Sequence, residues 1–277
     1  MFEKIIGHEN QKEILSNMIE NNTISHSYLF SGKKGIGKAS IAKEFASYIL
    51  KTSNIDASPD FKYIKRQEDK KDILVEQIRK EVIDDMYISP ISGDRKVYII
   101  DDADSLNITA QNALLKTLEE PPRYVVIILV AFNESKFLPT ILSRLTKISF
   151  QPLKLDELKK YMKEEYALDL SDTIVEFLDG SLGKAIEIVN KNLLEEFEKI
   201  DKLYEICCTK NEVKALLCCE TIDFSVDCLL DYLEYILYKF GKYKTIEIVE
   251  YSKNRLKANG NYDIVIDHMI LKIIENI

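Results

Sequence analysis

Val97–Pro122, VYIIDDADSLNITAQNALLKTLEEPP, is the stretch of this sequence that decides the fold. It opens with the unbroken apolar run Val97–Ile100, which Asp101 and Asp102 follow at once. Short β-branched and aromatic runs of this kind are typical of a strand that is buried on both faces. A carboxylate pair at the carboxyl end of such a strand lies where open α/β sheets bind ligands. The stretch therefore predicts a central strand with a ligand site beside its end.

Further strands and helices surround this stretch. After the aspartates, apolar residues at helical spacing predict a helix that Pro121 and Pro122 end. Amphipathic patterns predict helices over residues 9–20, with Ile14, Leu15, Met18 and Ile19 on the apolar side, and over Ile73–Met86. Apolar runs predict strands at Ser27–Phe30, Phe61–Ile64, Val125–Ala131 and Thr146–Phe150, and the charged stretch 51–72 predicts a surface connection. Strands that alternate with helices favour an α/β fold with a parallel, doubly wound sheet.

A candidate phosphate-binding loop follows the first predicted strand. Residues 32–38, GKKGIGK, have the spacing G-x-x-x-x-G-K, and a predicted helix begins directly after them. Glycines let backbone N–H groups turn inward around an anion, while the lysine and the helix N-terminus add positive charge. The residues that we expect at a nucleotide site are therefore Gly32, Gly35, Gly37 and Lys38, with Asp101 and Asp102 on its metal side. The alternative for the aspartates is a capping role before a structural helix.

Ala39 stands next to the loop lysine, where a Ser or Thr hydroxyl would ligate Mg²⁺. Ser40 is one residue further on, and we expect its side chain on another side of the helix. The loop is thus predicted to be able to hold phosphates but to be poor at holding the metal. We expect ATP or ADP to bind weakly or not at all.

Helical patterns replace strand patterns from Pro152 onward. Helices are predicted at Leu155–Glu165, Ser171–Leu178, Lys184–Asn192, Val226–Phe240 and Tyr243–Ala258. We expect three domains: a P-loop domain over residues 1–151, a small helical domain over 152–193 and a helical C-terminal domain over 194–277. The last contains apolar helices but no chemical motif, so we expect it to mediate oligomerisation.

All five cysteines lie in the last third of the chain, in apolar helical surroundings. No C-x-x-C spacing is present, and the three histidines are scattered along the sequence. This pattern gives little support to a zinc site and favours buried free thiols, which pack as small apolar side chains.

Composition and charge restrict the class of protein. The 277 residues are 46% hydrophobic and 30% charged, which is ordinary for a globular protein. No apolar run approaches the roughly 20 residues that span a bilayer, and the N-terminus lacks the apolar region of a signal peptide, so we expect a cytoplasmic protein. Residues 1–151 contain 21 basic and 21 acidic residues, whereas residues 152–277 contain 17 and 25, which accounts for the net charge of −8. Strong DNA binding would need a basic excess, so we expect nucleic-acid contacts to be local or shared with partners.

Three segments in this order resemble the clamp-loader branch of the AAA+ ATPases. They are SHSYLFSGKKGIGK at residues 25–38, the aspartate strand that continues into NALLKTLEEPP at 112–122, and LPTILSR at 138–144. Within that branch the sequence most resembles the delta-prime subunits of bacterial DNA polymerase III, although residues 51–72 lack the cysteines of the zinc module that many relatives carry. The resemblance implies an AAA+ domain, a helical lid at 152–193 and a C-terminal collar at 194–277. It also implies a replication role with a motor subunit, a delta subunit, the sliding clamp and primed DNA as partners.

Four departures from the family's motor subunits concern hydrolysis. Motor subunits carry Thr or Ser after the loop lysine, Asp-Glu at the strand end, a polar sensor after the next strand and a sensor arginine at the start of a lid helix. The corresponding residues here are Ala39, Asp101-Asp102, Asn133 and Gly183, which is followed by Lys184. Phosphoryl transfer depends on positioned charges, so the loss of several at once predicts a chain without useful ATPase activity.

Ser143-Arg144 keeps the family's pattern. By resemblance, Arg144 reaches the γ-phosphate bound by a neighbouring subunit, and an arginine finger of this kind is worth about 10³–10⁵ in rate. The alternative is a surface arginine paired with a helix carboxylate. For the whole chain, a self-sufficient AAA+ ATPase that tolerates Ala39 and uses Asp102 is the main rival, and a P-loop kinase is disfavoured because no second substrate site is seen.

Overall fold

In the computed structural model, which describes residues 1–67 and 70–277, five parallel strands form one sheet. They are β1 (Ser27–Ser31), β2 (Phe61–Ile64), β3 (Lys96–Ile100), β4 (Val125–Ala131) and β5 (Thr146–Ser149), in the order β2-β3-β4-β1-β5. Their bounds agree with the predicted strands to within one residue at each end. The predicted α/β fold with a parallel sheet is confirmed. Residues 68 and 69 of the predicted surface connection lie outside the described residues.

Helices cover both faces of this sheet. One helix precedes the strands and the others lie between or after them: α1 (Glu9–Glu20), α2 (Lys38–Leu50), α3 (Val75–Ile78), α4 (Ile108–Glu119), α5 (Pro139–Leu142) and α6 (Leu155–Tyr166). Val97 and Ile99 pack in one core with residues of α1 and α2, whereas Tyr98 and Ile100 pack in a second core with residues of α3 and α4. Because side chains alternate along a strand, a strand between two helical layers buries side chains on both faces, which explains the unbroken apolar run Val97–Ile100.

Two helix predictions need correction. Ile14, predicted on the apolar side of α1, is 45% exposed, while Leu15 is buried. The helix predicted over Ile73–Met86 is shorter, since Ile73 forms an isolated bridge with Leu106 and α3 begins at Val75. It then widens into the π-helical segment Arg79–Ile83, and a π turn shifts the apolar positions away from the spacing of an α-helix.

The chain divides into two compact units. The first comprises Met1–Leu168 and Asp179–Gly183, and the second comprises Asp169–Leu178 and Lys184–Ile277. The remaining helices are α7 (Asp172–Leu178), α8 (Leu182–Asn190), α9 (Leu194–Cys208), α10 (Glu212–Cys219), α11 (Asp227–Lys239), α12 (Tyr243–Lys257) and α13 (Tyr262–Asn276). The division into domains at 1–151, 152–193 and 194–277 stays a prediction.

The second unit is built around aromatic rings. Phe177 of α7 lies 5.8 Å from Phe197 and 5.1 Å from Tyr232, measured between ring centroids. The buried Tyr232 hydroxyl donates to Asp201 at 3.0 Å. No helix in the part of the chain that the structure describes is long and apolar enough to cross a bilayer.

The expectation of buried thiols holds for only two of the five cysteines. Cys207 and Cys219 are buried, and burial raises the pKa of each thiol to about 12. Cys218 and Cys228 are partly buried, and Cys208 is exposed, which corrects the prediction for these three.

Candidate functional site

The candidate phosphate loop connects β1 to α2. Gly35 and Gly37 have φ values of 78° and 95°, in the left-handed region that glycine enters without steric cost. Ser40 is exposed on α2, as expected, and the partly buried Ala39 offers no hydroxyl. The loop therefore has the backbone of a phosphate-binding loop without the expected metal ligand.

Lys38 is bonded within the loop itself. Its side chain is 5% exposed, and its ammonium donates to the carbonyl oxygens of Gly32 at 2.8 Å and Lys33 at 2.5 Å. Burial lowers the pKa of Lys38, and the nearby carboxylates of Asp101, Asp104 and Asp102 act in the opposite direction. The structure thus brings the loop lysine and the predicted aspartates into one electrostatic cluster.

Asp101 and Asp102 differ in their surroundings. The carboxylate of Asp101 accepts hydrogen bonds from the Tyr63 hydroxyl at 2.5 Å and from its neighbour's backbone N–H at 3.0 Å. Burial and the Asp101 carboxylate raise the pKa of Tyr63, which keeps its hydroxyl protonated as a donor. Asp102 has a φ of 49° and stands before the 3₁₀ turn Ala103–Ser105, but its side chain makes no capping hydrogen bond there. Aspartate enters this left-handed region more readily than most residues with longer side chains.

Two further polar residues near the strand ends are buried: Asp104, which the sequence groups with Asp101 and Asp102, and Gln111, which the sequence analysis did not identify. Asp104 is 4% exposed and accepts from the backbone N–H of Phe132 at 3.1 Å. Burial raises its pKa, although this hydrogen bond counteracts the shift. Gln111 donates to the carbonyls of Leu106 and Lys136 and accepts from the N–H of Leu138. A polar residue on the same helical face as Leu114 and Leu118 was the signal that could have identified Gln111.

The turn Asp179–Gly183 lies against the phosphate loop, within the first unit. The Gly183 N–H donates to the Gly35 carbonyl at 2.7 Å, and the Ser181 hydroxyl donates to the Lys34 carbonyl at 3.3 Å. Lys33 and Asp179 form an ion pair. A Cβ on Gly183 would stand 3.0 Å from the Gly35 Cα and 3.2 Å from its carbonyl oxygen. Gly183 stands at the position of the family's sensor arginine. Any side chain there would fit only if the loop or the turn shifted slightly.

Asn133, the polar residue at the expected sensor position, is engaged locally. Its side-chain oxygen accepts from the N–H of Ser135 at 3.0 Å and from the Ser135 hydroxyl at 2.7 Å, so it caps the 3₁₀ turn Glu134–Lys136. The neighbouring Phe132 is 49% exposed, with the Lys136 ammonium 5.5 Å from its ring centroid. Lys184, next to the sensor-arginine position, lies with its ammonium 5.4 Å from the Phe177 ring.

Arg144 follows α5, and contacts within its own unit hold its guanidinium. It forms an ion pair with Glu119 at 2.6 Å and donates to the Thr140 carbonyl at 2.6 Å and the Ser143 hydroxyl at 3.3 Å. Its side chain remains 33% exposed. Glu119 belongs to NALLKTLEEPP, so the structure joins two of the motif segments through an arginine–carboxylate pair. This geometry is the one expected of a surface ion pair, and it leaves the guanidinium accessible.

The cavities near the site are small. A depression of about 290 Å³ beside Gly32 and Phe132 is at the lower limit for small-molecule sites. A larger cavity of about 940 Å³ lies at the amino ends of the strands, away from the phosphate loop. It is lined by the ends of α1 and α2 and by residues just before β3 and β4. It contains none of the predicted site residues. In the described residues, no three metal-ligating side chains come together. With Ala39 in place, no hydroxyl beside Lys38 is available to Mg²⁺, and the turn occupies the Gly35 carbonyl.

Comparison with protein families gives one match that covers a little over half of the chain. The profile described as DNA polymerase III, delta subunit, matches residues 7–154. The matched range contains the phosphate loop, the aspartate strand and Arg144.

Individual relatives carry related descriptions. The tau/gamma subunit of DNA polymerase III from Haemophilus influenzae is 31% identical over 243 residues, which are 82% of this chain and 35% of that protein. The delta' subunit from Bacillus subtilis is 30% identical over 207 residues, which are 70% of this chain and 63% of that protein. The tau subunit of the same organism is 31% identical over 217 residues, 69% of this chain and 37% of that protein. The chain thus spans 35% to 63% of the length of these relatives.

A solved structure extends the likeness in fold to almost the whole chain. A DNA polymerase III gamma subunit-related protein from Thermotoga maritima superposes with a TM-score of 0.58 and 19% sequence identity, over 95% of this chain and 99% of the other. The AAA+ fold class expected from the sequence, with a parallel-sheet domain followed by helices, is confirmed by this likeness.

Proposed function

This chain belongs to the DNA polymerase III delta subunit family, in the clamp-loader branch of the AAA+ proteins, and we propose that it is a delta-prime-like subunit of a clamp loader. In this role it is a stator, a subunit without useful ATPase activity of its own. It supplies Arg144 to the nucleotide site of a neighbouring motor subunit and is held in the complex by its C-terminal helices. The complex, which includes a delta subunit, loads the sliding clamp on primed DNA.

The observation that carries this proposal is the contact between the turn Asp179–Gly183 and the phosphate loop. The Gly35 carbonyl is bonded to the Gly183 N–H, and the Lys38 ammonium is bonded to two loop carbonyls. Phosphoryl transfer in P-loop proteins uses a lysine directed at the phosphates. By the family resemblance, motor subunits also carry a sensor arginine at the position of Gly183. In this arrangement both positions serve internal contacts, which supports a structural role for the loop.

The strand end gives independent support. In the proposed inactive site, Asp102 replaces the glutamate that polarises the attacking water in motor subunits. The left-handed backbone at Asp102 favours a short polar side chain, so glutamate would carry a conformational cost there. Ala39 and Asp102 thus replace two groups that motor subunits use in catalysis. At a third position, Gly183, a side chain would be in tight contact with Gly35.

The alternative is a motor-type subunit with its own ATPase activity. The similarity to tau and gamma subunits and the complete G-x-x-x-x-G-K spacing favour it. A motor-type reaction would require the turn to leave Gly35 and would require hydrolysis without a Ser or Thr ligand for Mg²⁺.

ATP turnover separates these functions. We expect the isolated chain to show no turnover above that of its Lys38→Ala variant, whereas addition of a motor subunit should give turnover that depends on Arg144. Calorimetric titration with Mg-ATP should show weak or no binding to the isolated chain. Micromolar binding together with turnover near or above about 1 s⁻¹, an ordinary enzyme rate, would establish the motor-type alternative.

A further inference from the structure

The connection between α11 and α12 exposes an unusual number of aromatic rings. Residues 238–244, YKFGKYK, are called the aromatic turn below. Tyr238, Phe240 and Tyr243 are 59%, 52% and 63% exposed. Single exposed apolar residues are normal, but several on one short turn mark an interaction site.

The rings of the aromatic turn are held in fixed positions. Gly241, with a φ of 71°, lets the chain reverse, and the Lys242 N–H donates to the Leu237 carbonyl at 2.8 Å. Tyr238 and Tyr243 meet edge to face with 5.7 Å between ring centroids. Phe240 stacks on Tyr204 of α9 at 4.8 Å, with an angle of 15° between the ring planes. The rings are therefore ordered by contacts inside the second unit and still present area to solvent.

Lysines alternate with these rings. The Lys239 ammonium pairs with Glu176 at 2.6 Å, and the Lys242 ammonium donates to the Ile277 carbonyl at 3.2 Å. Lys244 is exposed, and within the described residues the structure gives its ammonium no carboxylate partner. The aromatic turn thus carries positive charge at the surface of a C-terminal region that is acidic overall.

We infer that the aromatic turn is a binding site for single-stranded nucleic acid. Proteins that bind single strands combine basic side chains along the backbone with aromatic rings on which bases stack. Tyr238 and Tyr243 supply the rings, and Lys244 supplies a cation for a phosphate. Aromatic rings are also enriched in protein–protein interfaces, but lysine is depleted there, and three of the seven residues of the aromatic turn are lysines, which favours a polyanion over a protein partner. A duplex also fits less well, because its bases are stacked on one another.

This inference goes beyond the proposed function, in which the complex provides the DNA contacts. It agrees with the expectation that nucleic-acid contacts of this chain are local, because seven residues carry the site. The inferred contact uses neither the phosphate loop nor Arg144, so it can hold or fail independently of the proposed stator role.

Fluorescence anisotropy of a labelled oligothymidylate of about 15 nucleotides, close to one single-strand site size, tests the inference with the full-length chain. Tyr243→Ala should weaken binding by about tenfold, because stacking on one ring is worth about 1–3 kcal/mol. Lys244→Ala should weaken binding and lower the slope of log K against log salt by about 0.7, the value for one phosphate contact on a single strand. The matched controls Tyr251→Ala and Lys257→Ala, exposed residues of α12, should bind as the wild type does.

Three outcomes would overturn the inference. They are no binding by the wild type at about 50 mM salt, binding that neither variant weakens, and tighter binding to duplex that is insensitive to Tyr243→Ala. If the two variants lose co-elution with a clamp-loader subunit while oligothymidylate binding is unchanged, the aromatic turn is instead a protein-docking surface. Circular dichroism of each variant distinguishes loss of binding from loss of fold.

Discussion

Arg144 donates hydrogen bonds to Glu119, Thr140 and Ser143, so contacts within its own chain fix the guanidinium at the surface. An exposed ion pair contributes only about 0–1 kcal/mol, so the arginine can exchange Glu119 for a phosphate at low cost. The pair and the proposed role in trans are therefore compatible. In the proposed role, Glu119 is the group that positions the Arg144 guanidinium before it meets the phosphate.

Arg144→Ala should leave the fold and the incorporation of this chain intact and reduce clamp loading by the assembled complex. The planar guanidinium matches two phosphate oxygens, which one ammonium does not, so Arg144→Lys should restore loading only in part. Loading assays with reconstituted complexes check this, with Arg123→Ala as an exposed control in the same unit. Unchanged loading by the Arg144→Ala complex would leave Arg144 with the role of a surface ion pair.

At the scale of elements, sequence periodicity predicted what is local. The central strands β3 and β4 were found because each contains an unbroken apolar run, whereas β2 and β5 mix polar and apolar residues. Helix α1 was found because its amphipathic pattern ends at Asn21 and Asn22. The contact of Gly183 with Gly35 could not be predicted, because it joins residues far apart in the sequence and involves no side chain. The π-helical segment Arg79–Ile83 was not predicted, because its apolar residues do not have the spacing of an α-helix. The candidate site residues were proposed from motifs, and of their partners only a helix carboxylate for Arg144 was anticipated, as the alternative to its role in trans.

The Asp85 carboxylate contacts side chains of both β2 and β3. Its carboxylate accepts from Lys62 at 2.9 Å, from Lys96 at 3.0 Å and from the Tyr98 hydroxyl at 2.6 Å. Burial alone would raise its pKa, but these hydrogen bonds together lower the pKa of Asp85 to about 2. A carboxyl with a pKa below its unfolded value of about 3.9 stabilises the fold above that pH, and the contribution is lost as the pH falls toward 2.

Asp85→Asn should lower the free energy of unfolding at neutral pH by about 2 kcal/mol, because it leaves the buried Lys96 ammonium without its charged partner. The difference from the wild type should shrink below pH 4 and become small near pH 2, where about half of the wild-type carboxyl is protonated. Urea denaturation at a series of pH values measures it, and the exposed Asp94→Asn serves as control. A difference that stays constant down to pH 2 would refute the electrostatic explanation.

Gly180 fixes the turn that meets the phosphate loop. Its φ is 71°, and a Cβ there would come within 2.5 Å of the Leu153 carbonyl oxygen and 2.7 Å of the Leu153 nitrogen. Gly180→Ala should therefore lower the free energy of unfolding by about 1–2 kcal/mol, the cost of placing a residue with a Cβ in the left-handed region. The clash with Leu153 adds to this cost. Thermal denaturation should show a lower Tm. Gly93→Ala, with no atom within 4 Å of the added Cβ, should leave the Tm unchanged or raise it slightly. Equal Tm values for both variants would contradict the prediction.

At the scale of the whole molecule, the chemical motifs lie in the first unit and the second unit is helical. Within the second unit, α10 exposes Val213 at 70% and Leu217 at 58%, and α13, which packs against α10, exposes Ile264 at 62%. Exposed apolar residues grouped on neighbouring helices are typical of a protein–protein interface. They form a candidate surface for the predicted oligomerisation through residues 194–277.

The double variant Val213→Glu, Leu217→Glu should remain folded and lose co-elution with a motor subunit in size-exclusion chromatography. Charges in the core of an interface are unfavourable because they lose water without gaining a partner. Tyr251→Glu, which changes an exposed aromatic of the same unit, should still co-elute. Unchanged co-elution of the double variant would place the interface elsewhere.

The contact between the turn Asp179–Gly183 and the phosphate loop also sets the fraction of molecules in which the loop is open. At least two hydrogen bonds of about 1 kcal/mol each and one exposed ion pair hold the turn on the loop, so its release costs at least about 2–3 kcal/mol. At equilibrium no more than roughly one molecule in a hundred then has the loop open, and the apparent affinity for any ligand that needs the open loop is weakened at least about 100-fold. A partner that draws residues 179–183 away would remove this factor without touching a single ligand-contacting group. Nucleotide affinity measured on the isolated chain would then understate the affinity of the same chain inside an assembly.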